Sequence, residues 1–178
     1  MRPPDSCGRI SFTVMTRDGP TDISAGNAIR DSLAAVGIEV TVKNVSLMEE
    51  IDELGNPAAL TKQKIGLVMR RWMPDWPDPD PMLTPLIDSR EIIEDGFSPN
   101  LGVRLAQADE LIDAARSTLD PQERTRTWRE AEQLVLEQGL MLPLLWSKAG
   151  LVRGAGATNV HVSSAYHQYD VTTMGVTP

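Results

Sequence analysis

Apolar and small polar residues alternate along Ile10-Ser11-Phe12-Thr13-Val14-Met15, the period-two pattern of a half-buried strand, and Asp18-Gly19-Pro20 breaks it. From Asp22 onward the period changes. Ala25, Ile29, Leu33 and Val36 recur at helical spacing, with Thr21 or Asp22 placed to cap the start and Gly37 placed for a left-handed stop. Ile38 to Val45 alternates again and is rich in β-branched side chains, so the order strand, helix, strand reads as a βαβ unit. Ser46 and Glu49 have the spacing of a capping box for a short helix through Leu54, which Gly55-Asn56-Pro57 ends. Ile65 to Trp72 reads as a third strand with a charged end, Arg70 and Arg71.

Two helices follow a proline-dense loop. Leu101, Leu105, Ala108, Ile112 and Ala115 form one apolar stripe, with Asp109, Glu110, Asp113 and Arg116 on the other face. At Asp120-Pro121-Gln122-Glu123 a capping aspartate precedes a proline at the first helical position; Trp128, Ala131 and Val135 supply the buried face and Gly139 closes the helix. Leu140 to Trp146 is an apolar run of strand length, interrupted by Pro143 and therefore read as an edge or hinge. From Ser147 the chain is rich in Gly, Ser and Thr with little periodicity. The expected fold class is α/β, a sheet flanked by helices, in one domain with loose ends.

Composition narrows the function. At 178 residues, one α/β core is affordable. The excess of 25 acidic over 17 basic residues repels nucleic acid and anionic lipid and suits a cationic ligand. No run approaches the roughly 18 apolar residues of a membrane span, and the polar stretch Met1 to Arg9 has no apolar core of a signal peptide. Cys7 is the single cysteine and is read as an incidental thiol.

The segment Trp72-Met73-Pro74-Asp75-Trp76-Pro77-Asp78-Pro79-Asp80-Pro81 is the most unusual. Its four prolines restrict φ and remove backbone donors, so its carboxylates are displayed on a stiff loop. Two readings stand on composition alone: a recognition device, or a turn whose tryptophans fill the core and whose aspartates are solvated or cap the next helix. The segment Arg71-Trp72-Met73-Pro74-Asp75-Trp76-Pro77-Asp78-Pro79 resembles the Gly-Trp-x-x-Asp-Tyr-x-Asp-Pro motif of oligopeptide- and dipeptide-binding proteins, the extracytoplasmic solute-binding proteins of family 5. Ala34 to Val40, Asp109 to Arg124 and Leu142-Pro143-Leu144-Leu145-Trp146 resemble further blocks of that family, in order. Arg71 in place of the glycine, Pro74, and Trp76 in place of the tyrosine depart from it.

The resemblance implies a partial, carboxy-terminal lobe of a type II periplasmic-binding-protein fold with a mixed sheet, over residues 10–146. Residues 147–178 would be a hinge or return segment, and residues 1–9 are unmatched. It implies a non-enzymatic substrate-binding component of an ABC importer, acting outside the membrane. Asp75 would pair with the ligand's ammonium, Trp72 would line the pocket and Trp76 would keep an aromatic there; Asp78 and Asp80 are expected to hold the loop. The implied partners are a peptide or other small cationic solute, an ABC permease, an amino-terminal lobe that this chain lacks, and a second copy through any apolar surface left bare. A sensor or interaction module derived from such a lobe is the alternative. No cofactor or metal is expected. His161, His167 and Asp170 form the one candidate metal set, and Ser163 and Ser164 beside His161 lack the strained turn of a nucleophile. Pairing Asp75 with Asp78 or Asp80 as hydrolytic carboxylates is disfavoured, because nothing nearby separates their acidities.

Overall fold

The computed structural model describes residues 10–146, 148, 150–163 and 168–177. Cys7, Ser164 and His167 lie outside the described residues. Packing divides the chain into two compact units, residues 1–71 with 88–104 and residues 72–87 with 105–178.

The first unit is built on a parallel sheet. Strands β1 (Ser11–Arg17) and β2 (Glu39–Val45) pair in register from Ser11 opposite Glu39 to Arg17 opposite Val45, and β3 (Ile65–Val68) pairs on the other side of β1. Helix α1 (Pro20–Ala34) makes the β1-to-β2 crossover. It begins earlier than the periodicity suggests: Gly19 is the N-cap and Pro20 the first helical residue, so Asp22 sits inside the first turn and is buried. Gly37 takes the left-handed conformation expected of the stop, with φ of 83°. Gly26 marks the closest approach of helix to sheet, because an added Cβ would lie 2.8 Å from Thr16 Cγ2 and 3.0 Å from Val42 Cγ1.

Helix α2 (Leu47–Asp52) is capped by Ser46, whose Oγ accepts the Glu49 amide at 3.1 Å, but the helix stops short of Leu54 and the Glu49 carboxylate pairs with Lys43 at 3.3 Å instead of closing a capping box. Asn56-Pro57, read as a helix end, instead opens α3 (Pro57–Lys62): Asn56 Oδ1 accepts the Ala59 amide at 2.9 Å and Pro57 occupies the first position, where its missing N–H is not needed. Met15, Val45, Leu54 and Leu60 form the core, with Ile65, Val68 and Leu101 packed against it.

The second unit is helical at its centre. Helices α4 (Pro79–Ile87), α5 (Ala106–Ser117) and α6 (Pro121–Glu137) pack on one another through Leu83 and Ile87, through Ala108, Ile112 and Ala115, and through Trp128, Ala131 and Val135, all buried. The last six are the apolar positions that the sequence periodicity selects. Asp120 Oδ1 accepts the Gln122 and Glu123 amides at 3.1 and 2.8 Å, and Gly139 is left-handed with φ of 67°. Leu140 to Trp146, read as an edge strand or a hinge, forms no strand. Its residues after Leu140 make no backbone hydrogen bond among the described residues, and Trp146 is 88% exposed. Beyond it, β4 (Ala157–Thr158) and β5 (Gly175–Val176) pair antiparallel, with an isolated bridge between Val162 and Tyr169. No helix among the described residues is long and apolar enough to cross a membrane.

Candidate ligand-recognition loop

Strand β3 ends at Val68, four residues before Trp72, so Arg70 and Arg71 lie beyond the sheet, where they become ion-pair donors. Arg70 turns inward. Its Nε donates to Glu50 Oε1 at 2.7 Å and its Nη1 to the Ser98 carbonyl at 2.7 Å, while its guanidinium carbon lies 4.6 Å from the centre of the Phe97 ring. Arg17 Nε takes the other oxygen of Glu50 at 2.7 Å, so a carboxylate only 2% exposed is held between two arginines. Burial lowers the pKa of Arg70 from its ordinary value, against the opposing field and hydrogen bond of Glu50. Arg71, which replaces the family's glycine, is half-exposed and reaches the buried Asp22 at 3.0 Å.

The loop from Trp72 to Asp78 belongs to the second unit, and its side chains divide into two groups. Trp72, Asp78 and Asp80 are engaged. Trp72 is partly buried and its indole N–H donates to the Pro81 carbonyl at 3.0 Å. Asp78 receives both terminal nitrogens of Arg124, each at 2.7 Å, and also accepts the Asp80 amide at 2.9 Å, tying the first turn of α4. Asp80 accepts Thr84 Oγ1 at 2.6 Å and Arg116 Nη2 at 2.8 Å. Burial pushes the Asp80 carboxyl up, but the hydrogen bonds from Arg116 and Thr84 and the charges of Arg116 and Arg124 outweigh it and hold the group below its ordinary range.

Asp75 and Trp76 form the second group. Asp75 is exposed and makes no hydrogen bond or ion pair among the described residues, and Trp76 is 53% exposed. The loop therefore presents one free carboxylate beside one bare indole, while its other two carboxylates are satisfied by arginines. Asp78 and Asp80 hold the loop to the helices, and Asp75 stands apart from both ties. Sequence reasoning missed the arginine partners, since Arg116 appeared only as part of a solvated helix face and Arg124 only as part of a resembling block.

The other candidate clusters are not assembled. His161 is exposed, Asp170 accepts the Thr172 hydroxyl and amide at 2.5 and 3.1 Å, and His167 lies outside the described residues. No group of three or more potential metal ligands occurs among the described residues.

No family model and no curated protein matches the sequence. Solved structures do. The chain is 32% identical to clavulanic acid biosynthesis oligopeptide binding protein 2 over 95% of its own length and 31% of that chain, with a TM-score of 0.85. It matches the oligopeptide-binding protein AppA from Bacillus subtilis, solved with a nonapeptide, at 16% identity and TM-score 0.67, over 99% of this chain and 35% of that one. MoaA from A. tumefaciens R10, solved with mannopinic acid, matches at 23% identity and TM-score 0.52, over 72% and 24%. The last two establish likeness of fold alone, and the chain spans about a third of the length of the first two proteins. These folds belong to substrate-binding proteins rather than enzymes. With a parallel sheet flanked by helices and 32% identity to the first of them along nearly its whole length, this chain is similar to about a third of an oligopeptide-binding protein, in keeping with the resemblance of its loop to family 5 solute-binding proteins.

Proposed function

We propose that the chain supplies part of a ligand site in which Asp75 receives the ammonium of a peptide or other small cationic solute, with the Trp72 and Trp76 rings beside it. The observation that carries this reading is the state of Asp75. It is the one aspartate of the loop without a partner, on a backbone stiffened by prolines and braced at both neighbouring carboxylates. A charge-assisted hydrogen bond to an ammonium contributes about 1.5–3 kcal/mol where water is excluded, and an indole face adds apolar area and cation–π attraction. Asp75 is open to water in this chain, so the full contribution requires an opposing surface.

In the proposed assembly, residues 10–146 act as the carboxy-terminal lobe and residues 147–178 as the hinge or return segment. The amino-terminal lobe of such a protein closes over the loop, and an ABC permease receives the solute outside the membrane. The bare apolar side chains of Leu142, Leu144, Leu145 and Trp146 support contact with further protein, either that lobe or a second copy.

The test is titration of the chain with trialanine and with N-acetyl-trialanine, followed by calorimetry and by the NMR signals of Asp75 and Trp76. Weak binding of the free amine, loss of it on acetylation, and loss of it in Asp75→Asn are expected. Equal binding of both peptides, or unchanged affinity in Asp75→Asn, would overturn the ammonium assignment. Submicromolar affinity of the chain alone would refute the requirement for an opposing lobe.

A further inference from the structure

The loop's conformation depends on a vacancy in the next helix. In an α-helix the amide of residue 85 donates to the carbonyl of residue 81. Here residue 85 is a proline inside α4, so the Pro81 carbonyl has no such donor. The Trp72 indole N–H occupies that carbonyl at 3.0 Å. The two partners are nine positions apart in the chain, and the loop bearing Asp75 and Trp76 lies between them. Six residues after Trp72, the fork-to-fork pair of Asp78 with Arg124 fixes the other end of the loop in direction as well as distance, and Asp80 with Arg116 repeats the tie to α5.

We propose that Arg124, Arg116 and the Pro85-vacated carbonyl of Pro81 are positioning elements that hold the Trp72–Asp78 loop in its ligand-receiving shape before any ligand arrives. The inference rests on the ligand reading of Asp75 for its purpose, though not for its geometry. Four prolines between residues 74 and 81 limit the loop's internal freedom, but they do not set its orientation relative to the helices. The two arginine pairs and the indole do. A ligand meeting such a loop loses less ordering entropy than one that must organise it.

The experiment uses the full chain labelled with 5-fluorotryptophan, with the Trp72 and Trp76 fluorine signals assigned by single Trp→Phe variants. In Arg124→Gln both signals are expected to shift and to change line width while the far-ultraviolet circular dichroism stays that of the parent. Arg124→Lys keeps the charge without the fork and should fall between the two. Pro85→Ala restores a competing amide and should shift Trp72 more than Trp76. Trialanine affinity in Arg124→Gln should fall about twofold to fivefold, the equivalent of a partly exposed ion pair. Trp72 and Trp76 signals unchanged in both Arg124→Gln and Arg116→Gln would overturn the proposal. So would signals that move only with loss of helix, with Arg124→Lys guarding against simple unfolding. Asp75→Asn separates the two readings, because it should abolish the trialanine response and leave the Trp72 signal and both line widths those of the parent. If the parent chain shows no response to trialanine, the opposing lobe is required for binding, and the fluorine signals of the arginine variants still decide the positioning.

Discussion

Two arginine–carboxylate clusters tie irregular chain to regular structure, one in each unit, and they differ in depth. Glu50 is buried between Arg17 and Arg70, with Arg70 itself 7% exposed. Asp78 and Asp80 meet Arg124 and Arg116 at the surface of their unit, partly open to solvent. The deep pair joins the sheet to residues 98 and 99 of the later segment through Arg70, so removing one member strands a charge away from water. The shallow pairs leave their members in reach of water when broken, and their main product is direction: a loop aimed one way. Depth thus separates ion pairs that hold the fold from those that hold a site.

The largest effect expected from this comparison is in Glu50→Ala, which leaves Arg70 buried and unpaired and should cost about 3–5 kcal/mol of stability in urea unfolding of the chain. A loss below about 1 kcal/mol would place the deep cluster with the surface pairs. Asp78→Ala should cost less, about 1–2 kcal/mol, because it removes both a partly exposed ion pair and the acceptor of the Asp80 amide at the start of α4. A loss as large as that of Glu50→Ala would erase the distinction.

The smallest effect is in acid. The folded-state pKa of Asp80 lies below its ordinary value of 3.8, so its contribution is fully present above that value and is lost as pH falls from there through the folded-state value. Melting temperatures followed downward from pH 5 should therefore fall less steeply in Asp80→Asn than in the parent. An identical slope in both would show that Arg116 contributes direction and no stability.

Much of both units is legible in the residue pattern, because their strands and helices obey local rules. Ser46, Asp120 and Pro121 perform the capping roles their positions suggest, and Gly37 and Gly139 the left-handed stops. The errors arise where distant residues decide. Residues 70 and 71 look like the charged end of a strand until Glu50 and Asp22 are seen to receive them. Asp22 looks like a cap until Gly19 and Pro20 are seen to begin the helix before it. Asn56 and Pro57 look like a helix stop but start the next helix, two outcomes that share a single sequence signal. Leu140 to Trp146 has the composition of a strand, but a strand exists only when another chain segment supplies its hydrogen bonds, and none among the described residues does.

The sequence by itself determined that this is an α/β chain with a proline-stiffened loop carrying tryptophans and aspartates, since strand alternation, helical stripes and proline φ restriction are properties of neighbouring residues. Only the tertiary structure decided which aspartate stands free. Asp78 and Asp80 are neutralised by arginines 46 and 36 residues further along the chain, and the Trp72 indole is committed to a carbonyl that Pro85 leaves vacant. Those partners meet the loop only because α4, α5 and α6 pack into one unit, and no local pattern encodes that packing.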